Sequence, residues 1–154
     1  MTKEDRYQTV FRELAIRLPK GGNWIADCGN ITAVLRKHLG FYWVGFYFCS
    51  EDRLVLGPFQ GTPACVFLSL GTGVCSSAVL RKETVIVPDV HGFAGHVACD
   101  PLAKSEIAVP LFDAKHTVRG VLDADSRHPN AFDAIDKEFL EQIGDLLNPR
   151  WPAR

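Results

Sequence analysis

The longest apolar stretch of the chain, residues 41–49, sets the first limit on what this sequence can fold into. Its nine residues are about half of the length that a membrane-spanning helix needs, so we expect no membrane segment. Its aromatic residues and glycine favour a β-strand. Side chains alternate between the two faces of a strand. One face would then carry Trp43, Gly45 and Tyr47, and the other would carry Val44, Phe46 and Phe48.

Gly45 lies between two large aromatic residues on its face of this strand. A glycine in a strand interior often marks a place where a ligand or another backbone approaches closely. The alternative is that a neighbouring side chain fills the space that the glycine leaves. Both interpretations are open at this point.

Helical and strand patterns follow on both sides of this strand. Two helices are predicted over residues 3–17 and 23–39, with Asn23 as N-cap of the second and Gly40 just beyond its end. Further strands are predicted over residues 54–59, 65–70, 84–87, 107–112 and 117–125, a short helix over 74–81 and a final helix from about Asp133. These elements predict an α+β fold with helices flanking a mainly antiparallel central sheet.

The length and charge of the chain limit its organisation and partners. A chain of 154 residues is expected to form a single domain, which we assign to residues 1–154, with a core at about 23–147 and an N-terminal helix at 3–17. A net charge of −1 gives no electrostatic reason to expect binding to nucleic acid or an anionic membrane. The N-terminus has no apolar segment typical of a secretion signal. We therefore expect a cytoplasmic protein whose five cysteines are mostly reduced thiols.

Three cysteines, Cys65, Cys75 and Cys99, lie in the middle third of the chain among glycines, prolines and histidines. Cysteine in such loop-like sequence is more often present for its sulfur chemistry than as a small core residue. Cys99 follows His96 by three residues, and a nearby imidazolium or helix N-terminus would lower the pKa of its thiol. The plain alternative is an inert, half-buried cysteine. Zinc is not expected, because the chain has no Cys-x2-Cys pair of the kind typical of structural zinc sites.

Two aspartates, Asp123 and Asp125, share one face of the predicted strand 117–125. Carboxylates at this spacing, roughly 7 Å apart, repel each other unless they are solvated, bonded to donors or partly protonated. Glu106, near the preceding strand of the same hairpin, could join them. In a pocket, such a group would hold a protonated carboxyl near neutral pH. The alternative is a solvated face, with Asp125 capping a turn.

Taken together, these segments make the chain similar to the free methionine-(R)-sulfoxide reductases of the GAF-domain superfamily. The resemblance covers about residues 23–145 in the family's order. It rests on the stretches Trp43-Val-Gly-Phe-Tyr47, Leu56-Gly-Pro-Phe-Gln-Gly61, Pro63-Ala-Cys65, Gly73-Val-Cys75, Pro88-Asp-Val-His91, Gly95-His-Val-Ala-Cys-Asp100, Ser105-Glu106 and Gly120-Val-Leu-Asp-Ala-Asp-Ser126. Most GAF domains are sensors, whereas the three spaced cysteines with the Asp-x-Asp-Ser strand are specific to this enzymatic branch.

The resemblance implies a role for each candidate residue. It makes Cys99 the nucleophile that attacks the sulfoxide sulfur, Cys65 the resolving cysteine and Cys75 a third, less essential one. It places Glu106, Asp123 and Asp125 around the sulfoxide oxygen. Trp43 and Tyr47 match the aromatic pocket for the methyl and thioether end of the substrate. Ala124 departs from the branched aliphatic residue that is more usual in the family, and we expect an effect on packing only.

The resemblance also implies the partners and the overall reaction. It predicts an oxidoreductase of the oxidative-stress response that takes free methionine sulfoxide, forms an intramolecular disulfide, and is recycled by thioredoxin with NADPH behind it. No bound cofactor or metal is expected. The long irregular segment 88–104 is a candidate lid, and the oligomeric state is left open, a homodimer included. The competing interpretations are a non-catalytic GAF sensor of a small ligand and a thiol-based sensor of oxidants.

Overall fold

The computed structural model describes residues 1–96 and 99–152. Val97 and Ala98, which belong to the predicted segment 88–104, lie outside the described residues. The described part contains four α-helices and six β-strands in the order α1 (Lys3–Arg17), α2 (Trp24–Leu39), β1 (Trp43–Ser50), β2 (Arg53–Gln60), β3 (Phe67–Ser69), α3 (Val74–Arg81), β4 (Val85–Val87), β5 (Ser105–Phe112), β6 (Val118–Ser126) and α4 (Ala134–Asp145). Short 3-10 turns lie at Val90–Gly92 and Asn148–Arg150.

The strands form one sheet in the order β3-β2-β1-β6-β5-β4. Every neighbouring pair is antiparallel, which confirms the predicted α+β class and sheet type. The register of β1 with β6 places Gly45 opposite Asp123. The register of β5 with β6 places Glu106 opposite Asp125. The central strands therefore bring the predicted pocket residues to one region of the sheet.

Helices α2 and α4 begin at the residues predicted to cap them, and α2 ends at its predicted glycine. Asn23 accepts hydrogen bonds from the backbone N–H groups of Ile25 and Ala26, and Gly40 closes α2 in the left-handed conformation. Asp133 and Asp136 form a reciprocal capping box at the start of α4, as Thr2 and Asp5 do at α1. These bonds satisfy N–H groups that the first turn of a helix leaves without partners.

The two faces of the sheet bury separate cores. One face packs against α1, α2 and α4, and its larger core contains Val44 and Phe46 of β1 and Ala124 of β6. The other face packs against α3, and its smaller core contains Trp43, Tyr47 and Cys75. The alternation predicted for β1 is thereby confirmed, and the packing role expected for Ala124 agrees with its full burial.

Strand boundaries differ from the sequence prediction by two residues or more in three strands. The first strand begins at Trp43 rather than Phe41, although the N–H of Tyr42 still donates to the carbonyl of Asp125. The strand predicted over residues 107–112 begins earlier, at Ser105. The third strand is limited to Phe67–Ser69, because Cys65 is engaged elsewhere. Among the described residues, no helix has the length and apolar character that crossing a bilayer requires.

Candidate active site

A disulfide joins Cys65 and Cys99, which are 34 residues apart in the chain. Cys65 lies between β2 and β3, and Cys99 lies in the segment that connects β4 to β5. The base of that segment is closed by a hydrogen bond from the N–H of Val90 to the carbonyl of Lys104, at 2.9 Å. The pairing that the resemblance implied is therefore the one that the structure holds, in its oxidised form.

An aromatic wall stands behind the disulfide on the α3 face of the sheet. Trp43 and Tyr47 are 5% and 3% exposed, and their ring centroids lie 6.1 Å apart. Phe59 of β2 extends the wall, with its ring stacked at 5.4 Å from the ring of Trp43. A surface-exposed pair would have argued against an enclosed site, and this pair is buried.

The space above Gly45 is filled rather than open. A Cβ atom at this position would lie 2.5 Å from the Cβ of Phe59 and 2.5 Å from the indole ring of Trp43. The glycine therefore allows the indole to lie over the strand. Of the two interpretations of Gly45, the one in which a neighbouring side chain fills the space is correct, and the one in which a ligand approaches the strand there is wrong. Its effect on the pocket is indirect, because it sets the position of the Trp43 ring.

The polar atoms of both pocket aromatics bind the segment that carries Cys65. The indole N–H of Trp43 donates to the carbonyl oxygen of Thr62 at 3.0 Å. The hydroxyl of Tyr47 donates to the carbonyl oxygen of Cys65 at 2.8 Å. The same side chains thus form the wall of the pocket and anchor one partner of the disulfide.

Three carboxyl groups meet at the adjacent side of the pocket. Asp123 and Glu106 are buried, and Asp125 is partly buried, so the interpretation as a solvated face is wrong. Burial raises the pKa of Asp123 well above its usual range, and the charges of Asp125 and Glu106 raise it further. The pKa of Asp125 is raised by burial and then by the charge of Glu106. The group is therefore suited to keep a proton at a higher pH than a solvent-exposed carboxyl group would.

Cys75, in the first turn of α3, lies against these carboxyl groups. Its sulfur is 3.9 Å from Oε1 of Glu106. Burial, followed by the charges of Asp123 and Glu106, raises the pKa of this thiol well above its usual range. A protonated thiol is a poor nucleophile, so Cys75 is not activated in this environment.

Oδ1 of Asp123 is buried and has no hydrogen-bond partner among the described residues. A buried carboxyl oxygen without a partner carries a desolvation penalty that a bound ligand would relieve. Asp123 is one of the residues that line the cavity. Oδ1 of Asp123 is thus free to accept a hydrogen bond from a ligand, or to donate one when this oxygen carries the proton.

The structure also gathers metal-ligand types that local spacing in the sequence did not reveal. One ligand atom from each of Cys75, Glu106 and Asp123 lies within 4.8 Å of the others. These residues come from α3, β5 and β6, so no short sequence motif could have predicted that they lie together. A thiol and two carboxyl groups can ligate a divalent cation. The absence of a metal requirement stays a prediction.

His96 lies next to a carboxyl group of the site. Its Nε2 is 4.0 Å from Oε2 of Glu106. A lowered pKa of the Cys99 thiol stays a prediction, because this cysteine is bonded to Cys65. The other two cysteines lie outside the cavity lining: Cys28 is in the larger core, where burial raises its pKa to about 12, and Cys49 is near the end of β1.

These groups line a cavity of about 70 Å³. Of the two disulfide cysteines, Cys99 lines it, and Ala64 lines it next to Cys65. The wall includes all the aromatic and carboxyl residues predicted from the sequence, namely Trp43, Tyr47, Glu106, Asp123 and Asp125, together with Cys75. It also includes four polar residues to which the sequence analysis assigned no role, Tyr42, Thr62, Thr72 and Asp100. Of these residues, only Asp100 had a signal in the sequence that could have indicated a role in the site, because it directly follows Cys99.

Comparison with known proteins shows the family to which the chain belongs. The GAF domain family model matches residues 25–150. The GAF domain-containing protein A of Dictyostelium discoideum is 45% identical over 96% of this chain and 93% of its own. The free methionine-R-sulfoxide reductase of Escherichia coli (strain K12) is 40% identical over 93% of this chain and 87% of its own.

A solved structure extends the similarity to three dimensions. The X-ray structure of free methionine-R-sulfoxide reductase from Neisseria meningitidis, in complex with its substrate, superposes with a TM-score of 0.93. It is 39% identical and covers 97% of this chain and 90% of its own. The chain therefore belongs to the GAF domain family, in the branch that contains the free methionine-R-sulfoxide reductases.

Proposed function

We propose that this protein reduces free methionine-(R)-sulfoxide to methionine, with Cys99 as the nucleophile. The observation that carries the proposal is the Cys65–Cys99 disulfide, one sulfur of which belongs to a residue lining a pocket with aromatic and acidic walls. The activity of the relatives from Escherichia coli and Neisseria meningitidis supports the same assignment. A non-catalytic sensor would have no need of a redox pair at its ligand pocket.

The two ends of a sulfoxide need different surroundings, and the cavity offers both. Trp43 and Tyr47 provide an apolar wall for the methyl and thioether part of the ligand. The protonated carboxyl group of the Asp123, Asp125 and Glu106 set is suited to donate to the sulfoxide oxygen. The unpartnered Oδ1 of Asp123 is the atom of this set that a ligand would satisfy.

In the first step, the thiolate of Cys99 attacks the sulfoxide sulfur. A sulfoxide oxygen leaves sulfur readily only when it is protonated, so a carboxyl group supplies a proton as attack proceeds. Collapse releases methionine and leaves the oxygen on Cys99 as a sulfenic acid. The substrate sulfur is reduced by two electrons, and the sulfur of Cys99 is oxidised by the same two.

In the second step, Cys65 attacks the sulfenic sulfur of Cys99. The S–S bond forms, the S–OH bond breaks, and the oxygen leaves as water. Cys65 is better suited to this step than Cys75, whose buried thiol has a strongly raised pKa. A thioredoxin-like dithiol then reduces this disulfide by exchange and is oxidised to a disulfide itself, and NADPH supplies the two electrons that reduce the carrier again.

A small pocket whose aromatic walls are buried favours a free amino acid over a methionine sulfoxide within a protein. A peptide substrate would need exits for its backbone on both sides, and Trp43 and Tyr47 are nearly inaccessible. His96, Cys99 and Asp100 line the cavity, and all three belong to the segment 88–104. This position supports the assignment of that segment as a lid.

The test is NADPH oxidation in a thioredoxin-coupled assay with three substrates: free methionine-(R)-sulfoxide, free methionine-(S)-sulfoxide and a peptide-bound R-sulfoxide. We expect turnover with the free R form alone, unchanged by EDTA. Turnover with the peptide would contradict the enclosed site, and loss of activity in EDTA would contradict the metal-free mechanism. If a pre-reduced enzyme turned over none of them while peroxide formed the Cys65–Cys99 disulfide, the protein would be an oxidant sensor.

A further inference from the structure

We propose that Asp100 is a positioning residue that holds the segments of Cys65 and Cys99 together through a three-segment latch with Tyr42 and Thr62. This inference deepens the proposed function and rests on it for its role in the reaction cycle. The latch itself is defined by contacts that exist without substrate. It uses three of the cavity-lining residues to which the sequence analysis assigned no role.

The carboxylate of Asp100 accepts hydrogen bonds on both of its oxygens. Oδ2 accepts from the hydroxyl of Tyr42 at 2.8 Å and from the hydroxyl of Thr62 at 2.7 Å. Oδ1 accepts from the backbone N–H of Leu102 at 2.9 Å. Only an ionised carboxyl group accepts at all these positions without a donor of its own. The bond from Leu102, followed by that from Thr62, accordingly lowers the pKa of Asp100.

The three residues belong to three different segments. Asp100 is bonded directly to Cys99, and Thr62 precedes Cys65 by three residues. Tyr42 precedes β1, and its own N–H donates to the carbonyl of Asp125 in β6. One carboxylate therefore ties the nucleophile's segment to the resolving cysteine's segment and ties both to the sheet.

Thr62 is held from two sides, which makes it the centre of the latch. Its hydroxyl donates to Asp100, and its carbonyl accepts from the indole of Trp43 at 3.0 Å. Movement of the Cys99 segment away from the sheet would break the first bond and leave the second intact. In the oxidised form the Cys65–Cys99 bond also joins these segments, so the Asp100 bond is the contact that would hold them together once the disulfide is reduced.

Pre-organisation of two thiols increases their effective concentration and favours the disulfide over the dithiol. Breaking the latch should therefore make the disulfide easier to reduce and slow its formation after the first chemical step. It should leave methionine release less affected, because the proposed nucleophile and carboxyl groups are unchanged. Slower disulfide formation with a smaller effect on methionine release would therefore distinguish a positioning role from general damage to the site.

The experiment is a glutathione redox titration of the Cys65–Cys99 pair, which needs no substrate. For Asp100→Ala and Thr62→Val we expect the equilibrium constant for disulfide formation to fall roughly tenfold, in line with loss of a charge-assisted hydrogen bond. Thr62→Ser keeps the hydroxyl and should remain within about twofold of the wild type. Asp89→Ala is the matched control, since Asp89 is an exposed aspartate of the same segment that accepts from the N–H of His91.

A second readout follows a single turnover of the pre-reduced variants. We expect the rate of disulfide formation to fall several times more than the rate of methionine formation in Thr62→Val. An unchanged equilibrium constant in both Asp100→Ala and Thr62→Val would overturn the latch. Failure of the wild type to reduce methionine sulfoxide would instead overturn the proposed function and leave the titration result standing.

Discussion

The hydroxyl of Tyr47 donates a hydrogen bond of 2.8 Å to the carbonyl oxygen of Cys65, from a strand 18 residues earlier in the chain. The ring of the same tyrosine forms the pocket wall with Trp43. Burial raises the pKa of Tyr47 above its usual range, so the hydroxyl stays protonated and remains a donor. Substrate binding and disulfide chemistry therefore share one side chain, with a different part of it serving each.

Tyr47→Phe separates these two roles, because it removes the hydroxyl and keeps the ring. We expect KM for methionine sulfoxide to change less than threefold, since the apolar wall remains. Disulfide formation in a single turnover should slow about 2- to 10-fold, as loss of one neutral hydrogen bond predicts. Quenched-flow measurement of methionine and free thiols gives both values. A large rise in KM with normal disulfide formation would contradict this division.

Gly45→Ala tests the close packing of the indole over β1. A Cβ 2.5 Å from both Trp43 and Phe59 must displace one of them, so we expect a loss of about 1–3 kcal/mol in unfolding free energy and a raised KM. Gly29→Ala is the matched control. Gly29 lies within α2, where a Cβ meets no atom within 4 Å, and alanine should raise stability by about 0.5–1 kcal/mol. Urea unfolding of both variants measures the contrast, and equal effects would refute it.

Asp123→Asn tests the cost of holding carboxyl groups together in the site. The raised pKa means that folded Asp123 binds more protons than unfolded Asp123, so its contribution to stability falls as pH rises from about 4 towards the folded pKa. Asparagine carries no charge and removes this loss. We expect the variant to be inactive yet more heat-stable than the wild type, with a Tm difference that widens between pH 5 and pH 8.

Asp89→Asn is the control for that comparison. The bond from the N–H of His91 lowers the pKa of Asp89, so this group gives no stability gain on neutralisation at high pH. Thermal unfolding of the three proteins, all fully oxidised, should separate them. A Tm difference for Asp123→Asn that stays constant with pH would show that this carboxyl group is ionised without penalty.

The pH dependence of the first chemical step should be bell-shaped. The rate rises as the Cys99 thiol ionises and falls as pH passes the raised pKa of the Asp123 and Asp125 pair, because the proton donor is then lost. Single-turnover methionine formation, measured without reductant, isolates this step from recycling. A rate that continues to rise to pH 10 would exclude a carboxyl group as the proton donor.

The parts of the site that sequence could predict are those set by local periodicity. Alternation along β1 placed Trp43 and Tyr47 on one face, and alternation along β6 did the same for Asp123 and Asp125. Strand period depends on backbone geometry alone, so these predictions need no knowledge of the partner strands. The helix caps at Asn23 and Asp133 are local in the same sense.

The remaining features depend on which distant segments meet. Tyr42 and Asp100 are 58 residues apart, and Thr62 and Asp100 are 38 apart, so their shared hydrogen bonds have no local signature. The filling of the space above Gly45 depends on the register that brings Phe59 opposite it. The cluster of Cys75, Glu106 and Asp123 joins a helix to two strands. Such contacts follow from the fold, and the sequence indicated only which residues were available.

The most direct test of the account is a single turnover of the fully reduced protein with free methionine-(R)-sulfoxide and no reductant. We predict one methionine per chain and a fall in titratable thiols from five to three, with Cys65 and Cys99 recovered in one disulfide-linked peptide. Cys99→Ser should form no methionine, and Cys65→Ser should form one equivalent and then stop. Methionine formation by Cys99→Ser, or sustained thioredoxin-dependent turnover by Cys65→Ser, would contradict the account.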